Sequence, residues 1–161
     1  MRLPYLLILC ALLSYSQSLS ASNASTCPVT LGSSTTEGAP FEGMSWYRAG
    51  TLAASVPLDG VWPTTNPGHA IAVKLWWWSD NYQLGMESDL DVRFESLIGE
   101  PQSPEYSGVT HSYGDRLEAP WAMLIGIHLP QPGCWKIIGT FRDESLEFVV
   151  SVISHDEYRT K

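Results

Sequence analysis

The amino-acid sequence predicts an all-β fold, an antiparallel β-sandwich of about seven strands. Hydrophobic residues recur at every second position in six separate segments, which is the period of a strand with one buried face. Residues typical of turns, mainly Gly, Pro, Asn and Asp, lie between these segments. No stretch keeps a 3.6-residue period over the length of a helix, so a helical domain is not expected.

The first two strands are predicted before residue 80. Residues 51–58 alternate, and Pro57, which has no N–H for a ladder, indicates an edge strand. Asp59-Gly60 then predicts a turn. Residues 70–78 form the second strand. Its two faces carry different side chains, Ile71, Val73, Leu75 and Trp77 against Lys74, Trp76 and Trp78.

The later strands follow the same rule. Residues 89–98 alternate most regularly, with apolar side chains on one face and charged side chains on the other. Three further segments alternate in this way: 121–129, 134–141 and 146–153. The short break at 142–145 predicts a hairpin between the last two strands. Residues 28–31 are a candidate seventh strand.

The N-terminus departs from this pattern. Met1-Arg2 supplies a basic start, residues 5–13 are apolar, and small residues precede a cleavage position near Ala24. These are the three parts of a secretory signal, so we expect residues 1–24 to be removed and the mature protein to be secreted or periplasmic. The apolar run is shorter than the roughly 20 residues that span a bilayer, so no membrane span is expected after cleavage.

The remainder of the chain, roughly 137 residues, fits one domain of ordinary size. Residues 25–50 are rich in Gly, Ser, Thr and Pro and predict an N-terminal arm or loop, while residues 51–161 are assigned to the sandwich. The net charge is −8, from 9 Lys and Arg against 17 Asp and Glu. Because binding to phosphate backbones needs clustered Lys and Arg, no nucleic-acid partner is expected.

Two of the three cysteines, Cys27 and Cys134, lie beyond the signal segment. In an oxidising compartment such a pair most simply forms a disulfide. A Cys27–Cys134 disulfide closes a loop of over 100 residues. By restricting the unfolded chain, it should stabilise the folded state by about 4–5 kcal/mol. A metal-bound or catalytic thiol is the alternative, but the sequence has no CxxC motif and no histidine within several residues of either cysteine.

The segment 129–137 contains a Pro/Gly corner that leads into an aromatic-bearing strand. With the hairpin that follows, this arrangement is similar to the closing hairpin of immunoglobulin-like sandwiches. Cys134 and Trp135 are adjacent, so their side chains should lie on opposite faces of the sheet. A Cys27–Cys134 disulfide is therefore expected toward a sheet edge or the outer surface, unlike the core disulfide of antibody domains.

Three stretches of this chain resemble a known group of sequences. They are Leu129–Val152 (LPQPGCWKIIGTFRDESLEFVVSV), Cys27-Pro28-Val29-Thr30 and Val73–Trp78 (VKLWWW). Together they look like a group of uncharacterised secreted bacterial proteins with a P-x-x-GCW-x-x-x-G-x-x-x-x-x-SL-x-FVV ending. The resemblance implies a bacterial, exported, immunoglobulin-like domain, and it brings no known activity or site residues.

Motifs for catalysis or metal binding are missing from the sequence. It has no G-x-S-x-G elbow, and its four histidines show no H-x-x-x-H or H-E-x-x-H spacing that would hold zinc. We therefore expect no metal, no cofactor and no enzymatic activity. Paired carboxylates of the glycosidase kind leave one alternative open, a secreted hydrolase that uses surface carboxylates.

The tryptophans of the second strand are the strongest candidates for a binding surface. Trp76 and Trp78 share the outer face of this strand with Lys74. If residues 70–78 pair antiparallel with residues 89–98 and the core faces of the two strands agree, charged side chains lie beside the indoles on the outer face. These charged residues are Asp89, Asp91 and Arg93. Indole rings stack on the apolar faces of sugars while carboxylates accept hydroxyl hydrogen bonds, and the same surface suits a protein partner.

Two other arrangements would make the Trp76 and Trp78 rings inaccessible to a ligand. The N-terminal arm could fold over the rings, or Arg93 and Lys74 could cover them through cation–π contacts. The sequence thus favours a non-catalytic, exported binding or envelope-associated domain with an unknown protein or glycan partner.

Overall fold

Two β-sheets packed face to face form the domain. The structure is a computed structural model that describes residues 27–64, 73–83, 85–98, 104–113, 120–129 and 131–161. The expected signal peptide, residues 1–24, lies outside the described residues. The elements are β1 Trp46–Ala49, β2 Leu52–Ser55, β3 Val61–Pro63, β4 Val73–Ser79, β5 Leu90–Ser96, β6 Glu105–Tyr106, β7 Thr110–Tyr113, β8 Trp121–His128, β9 Gly133–Phe141, β10 Glu144–Ile153 and α1 His155–Arg159.

The first sheet has the strand order β1-β2-β4-β8-β6, and β7 also pairs with β8. The second sheet has the order β3-β10-β9-β5. The short strand β3 runs parallel to β10, and the other described pairs are antiparallel. The predicted all-β sandwich is therefore confirmed, with ten strands in the described residues where about seven were expected.

The hairpin predicted at 142–145 joins β9 to β10. Phe141 lies opposite Glu144, so the turn consists of Arg142 and Asp143, and the ladder runs on to the pair Gly133 and Val152. Arg142 has a φ of 55°, a left-handed conformation that residues with a Cβ adopt at some cost. This long hairpin provides the two central strands of the second sheet.

The core lies between the two sheets and, within the described residues, contains most of the apolar side chains that the period of two assigned to the inner faces. Trp77 on β4 contacts Phe148 on β10, with the ring centroids 5.8 Å apart. Both side chains are fully buried, as are these further large residues of the same core: Leu52, Leu75, Met123, Ile125, Ile127, Leu129, Ile137, Phe141 and Leu146. Trp135 also belongs to this core, as predicted.

Within the described residues, the segments 70–78 and 89–98 do not pair with each other. Strand β4 lies between β2 and β8 in the first sheet, whereas β5 pairs with β9 in the second. The alternation in both segments was identified correctly, but alternation is equally compatible with many partners. Consequently the outer faces of β4 and β5 lie on opposite sides of the sandwich.

Residues 27–45, here called the strap, connect the two sheets. Cys27 forms a disulfide with Cys134, which confirms the predicted bridge. Thr30 donates its N–H to Val149 O at 2.8 Å, although residues 28–31 form no strand of their own. Ser33 and Trp46 then form an isolated bridge at the start of β1, a strand that lies within the range assigned to the arm.

The disulfide lies outside the main core, as the adjacency of Cys134 and Trp135 predicts. Cys134 is nevertheless only 1% exposed, because β9 is a central strand and the strap passes over its outer face. Within the described ranges, no helix has the length and apolar character needed to cross a membrane.

Candidate ligand-binding face

The outer face of the first sheet, here called the tryptophan face, carries Trp46, Trp76 and Trp78. Strand register places Ser55 opposite Trp46, and Ala53 opposite Trp78. Trp76 and Lys74 follow on the same side of β4, because side chains alternate along a strand.

The strap buries one end of this face. Trp78 is 3% exposed and Trp46 is 1% exposed, and both pack with Ala39 of the strap and with Ala53. The two indoles meet edge to face, with centroids 6.3 Å apart. Of the arrangements that the sequence left open for Trp78, the structure shows the one in which the N-terminal arm covers its ring, so Trp78 is not part of an exposed binding surface.

A cation also covers Trp78, but it is not one of the two expected. The guanidinium carbon of Arg48 lies 4.7 Å from the centroid of the Trp78 ring, and Arg48 also pairs with Asp80. Arg48 comes from β1, an element that the alternation pattern did not reveal, so this contact could not be predicted from the sequence.

Asp89, Asp91 and Arg93 do not join the tryptophan face. Asp91 and Arg93 project from the outer face of the second sheet, where Arg93 Nε lies 3.1 Å from Asp91 Oδ2. Asp89 is exposed and immediately precedes β5. The predicted grouping of these three residues with Trp76 and Trp78 fails because β5 belongs to the other sheet.

Trp76 remains partly accessible at the edge of the strap. Its ring is half-buried and contacts Phe41 of the strap, with centroids 4.5 Å apart and planes inclined at 56°. Met44 of the strap packs against the same cluster. Trp76 donates its backbone N–H to Ser55 Oγ at 3.0 Å, which fixes this part of β4 relative to β2.

Two depressions lie on either side of residues 43–44, which line both of them. The first, here called the strap depression, has a volume of about 290 Å³. It is lined by Ser34, Thr36, Gly38, Ala39, Phe41, Glu42, Gly43, Met44 and Trp46. The second, here called the lysine depression, has a volume of about 270 Å³. It is lined by Gly43, Met44, Ser45, Ser55, Val56, Pro57, Trp62 and Lys74.

Buried hydrogen-bond donors accompany the aromatic cluster. Within the described residues, the indole Nε1 atoms of Trp46 and Trp78 have no hydrogen-bond partner, and the same is true of Trp77 and Trp135 in the main core. Because the core indoles share this property, the unpaired Nε1 donors alone do not indicate a ligand-binding site. They do show that packing, and not hydrogen bonding, holds the cluster together.

A second polar cluster lies at one end of the sandwich. Glu144 accepts hydrogen bonds from the Thr51 hydroxyl and, at 3.0 Å, from Asn81 Nδ2. These three residues come from the β1–β2 turn, the end of β4 and the start of β10. Both carboxylate oxygens are thus engaged in tying the sheets together. Among the described residues, no group of three or more His, Cys, Asp or Glu could hold a metal ion.

On the second sheet, the principal electrostatic feature is an ion pair. Lys136 Nζ lies 2.6 Å from Glu95 Oε2, and this hydrogen bond raises the pKa of Lys136. Desolvation opposes this by lowering the pKa, and weaker attraction to the Glu95 and Glu147 carboxylates raises the pKa further. Together with Arg93 and Asp91, this pair makes the face flat and polar.

Sequence reasoning missed Phe41 and Met44 because both lie in a segment that reads as an irregular arm. Their signal was weak but present, since Phe41, Met44 and Trp46 are large apolar residues in an otherwise Gly- and Ser-rich stretch. An arm that is polar throughout would have no reason to dock on an apolar face. Apolar residues within such an arm indicate that it packs.

Comparison with known proteins gave no match: no family model, no curated protein and no solved structure matches this chain.

Proposed function

We propose that the protein is an exported, non-catalytic binding domain whose ligand is a saccharide bound on the tryptophan face, beside the strap. One observation supports this most directly. The strap covers Trp78 but leaves Trp76 half-buried against Phe41, a residue that lines the strap depression. Lys74, two residues before Trp76 on the same face of β4, lines the lysine depression. A half-buried indole with hydroxyl groups at its margin suits the apolar face and the hydroxyls of a sugar ring.

The small size of the accessible surface favours a small ligand over a protein partner. Protein interfaces of standard size bury about 800 Å² on each side around a core of aromatic anchors. Among the described residues, six large hydrophobic residues are well exposed, and four of them lie outside the strap and the tryptophan face, whereas Leu31 belongs to the strap and Leu58 follows Pro57 of the lysine depression. The six residues are Leu31, Leu58, Leu97, Ile98, Tyr106 and Tyr158. A protein partner is therefore the second possibility for this face.

The strand order supports an immunoglobulin-like architecture for this domain. If β2, β4, β8 and β7 are strands A, B, E and D, the second sheet supplies C, F and G as β5, β9 and β10. Trp77 and Gly139 then pack together between strands B and F, where antibody domains have their disulfide. The Cys27–Cys134 bond on the outer side is consistent with export to an oxidising compartment.

Thermal unfolding against a panel of neutral and acidic oligosaccharides tests the proposal. A ligand at 100 times its Kd adds about 2.7 kcal/mol to stability, a shift of several degrees in Tm. Trp76→Ala and Phe41→Ala should abolish this shift. Tyr106→Ala, which removes an exposed aromatic residue from β6, is the matched control and should keep it. Equal binding by the wild type and Trp76→Ala, or no binding across the panel, would reject a saccharide site on this face.

A further inference from the structure

Lys74 lies beside the candidate site and has no ion-pair partner within the part of the chain that the structure describes. Arg48, Arg93 and Lys136 each form an ion pair with a carboxylate. Among the described residues, no carboxylate lies within ion-pair distance of Lys74, which is exposed on the outer face of β4. The chain has a net charge of −8, so most of its surface repels anions. A cation next to an aromatic cluster, with no ion-pair partner among the described residues, is in contrast suited to binding an anionic ligand.

Two serine hydroxyls line the lysine depression together with Lys74. Ser55 is only 9% exposed, and its Oγ accepts the backbone N–H of Trp76 at 3.0 Å. A serine hydroxyl can donate as well as accept, so the Ser55 proton is available for another acceptor. The Ser45 hydroxyl instead donates to Val56 O at 2.5 Å, which leaves its lone pairs for a ligand hydroxyl.

The remaining lining of the depression is apolar and comes from Met44, Val56, Pro57 and Trp62. A site that combines one cation, one buried hydroxyl donor and apolar walls suits a carboxylate attached to an otherwise uncharged ring. Its volume of about 270 Å³ is at the small end for ligand pockets, so it would accept one ring or one substituent.

The position of Trp76 relative to Lys74 indicates where the sugar ring of the ligand lies. Lys74 and Trp76 are two residues apart on the same face of β4, so their Cα atoms are about 7 Å apart. A sugar could therefore stack on the accessible part of the Trp76 ring while its carboxylate, or that of the neighbouring sugar, reaches Lys74.

From this geometry we propose that the lysine depression binds the carboxylate of a uronic acid, and that the ligand is an acidic oligosaccharide. The inference rests on the proposed saccharide-binding function and adds its specificity. Lys74 pairs with the carboxylate, Ser55 donates a hydrogen bond to it, and Trp76 holds the ring. Neutral sugars lack the group that the first two residues recognise.

The test compares uronic-acid oligosaccharides with the same molecules after methyl esterification, which removes the charge and keeps the sugar backbone. Short oligomers of glucuronate, galacturonate and mannuronate are titrated into the mature protein, and Kd is measured by calorimetry. We expect at least one acid form to bind about fivefold or more tighter than its ester. Raising NaCl should weaken binding of the acid and leave binding of the ester unchanged.

Three variants assign the charge preference to Lys74. Lys74→Gln should weaken binding of the acid form about fivefold and leave the ester unaffected. Lys74→Arg, which keeps the charge, should retain most of the preference. Arg93→Gln removes one positive charge from the outer face of the other sheet and should change neither affinity.

The outcomes separate the two proposals. Equal binding of acid and ester, or an acid preference that survives Lys74→Gln, overturns the uronate assignment but leaves the saccharide function intact. Absence of binding by every oligosaccharide, acidic or neutral, overturns both. An equal loss of affinity in Lys74→Gln and Arg93→Gln would show that only the overall charge matters, which also contradicts a subsite at Lys74.

Discussion

Trp77 and Gly139 show how closely two residues at the centre of the sandwich depend on each other. A Cβ built on Gly139 would lie 2.2 Å from Cη2 of the Trp77 ring and 2.4 Å from its Cζ3. Trp77 is fully buried, so its ring has nowhere to move. The glycine is therefore required by the close approach of the indole across the two sheets, and not by its backbone angles.

Gly139→Ala should lower the free energy of unfolding by about 1–3 kcal/mol, the usual cost of overpacking a core. Urea unfolding measures the change. Gly108→Ala is the control, because a Cβ there would meet nothing within 4 Å, and it should change stability little. In a Trp77→Phe background, which removes the larger ring, Gly139→Ala should cost less. Identical costs in the two backgrounds would contradict the proposed contact.

Tyr82 gives the protein a sensitivity to alkaline pH. Its side chain is buried against Phe141, with centroids 5.8 Å apart, and burial raises the pKa of its hydroxyl. An unfolded tyrosine ionises near pH 10, so the folded state holds this proton to higher pH than the unfolded state does. Its contribution to stability is full below about pH 10 and is lost as the pH rises through the folded pKa.

Tyr82→Phe keeps the ring and removes the titrating group, so its stability should fall less than that of the wild type between pH 9 and pH 11. Urea midpoints at pH 7, 9, 10 and 11 measure this difference. Lys136 titrates in both proteins and adds the same alkaline loss to each, because the hydrogen bond that it donates to Glu95 raises its pKa in both. Parallel curves for the two proteins would show that Tyr82 does not contribute.

At the scale of the elements, the strap is the feature that decides which tryptophans are accessible. It is held at one end by the Cys27–Cys134 disulfide and at the other by the Ser33–Trp46 bridge. Between these points, Gly32 donates its N–H to Pro57 O at 3.0 Å. At Gly60, which has a φ of 66°, a Cβ would lie 2.7 Å from Val29 Cβ, so the strap passes directly over this turn.

Removal of the disulfide should therefore act on the strap before it acts on the sandwich. Cys27→Ala/Cys134→Ala should lower the free energy of unfolding by about 2–5 kcal/mol, measured in urea. Hydrogen exchange locates the effect. In the variant, the amides of Thr30 and Gly32 should exchange faster than the rate set by global unfolding, because the strap opens locally. The amides of β9 and β10 should exchange only at the rate set by global unfolding of the variant. Slow exchange at Thr30 and Gly32, at the global rate, would show that their hydrogen bonds hold the strap without the disulfide.

The long strands could be predicted from the sequence, and so could the four-residue β2, but the other short strands could not. Strands β4, β5, β8, β9 and β10 have at least seven residues each, enough for several repeats of the alternation. Strands β1, β3, β6 and β7 have two to four residues and show too few repeats to distinguish them from loops. Strand ends were also overestimated, since Leu58 and Ile98 lie beyond β2 and β5 and are exposed.

At the scale of the whole molecule, the pattern determined which side chains share a face but not which faces are neighbours. The parity of Trp76 and Trp78 on one strand, and of Asp91 and Arg93 on another, was correct for each strand. Their separation onto opposite sides of the sandwich follows from β4 pairing with β8 and β5 pairing with β9. These choices depend on packing among residues far apart in sequence, which a local period of two does not contain.

The net charge acts on the molecule as a whole and predicts how stability responds to salt. With a net charge of −8 at pH 7, the compact state is destabilised by self-repulsion. Raising the ionic strength from 0.01 M to 0.1 M shortens the Debye length from about 30 Å to about 10 Å, which screens repulsion across the domain. Exposed ion pairs such as Arg93–Asp91 weaken too, but each contributes only about 0–1 kcal/mol.

We therefore expect Tm at pH 7 to rise by a few degrees, roughly 1 kcal/mol, between these two NaCl concentrations. The control is the same experiment near pH 4.8, the isoelectric point of the sequence, where net repulsion vanishes and only attractive pairs remain to be screened. There Tm should stay constant or fall. A fall at pH 7 would mean that the specific ion pairs outweigh the net charge, and the stability of this acidic sandwich would then depend on local pairs such as Lys136–Glu95 and Arg48–Asp80.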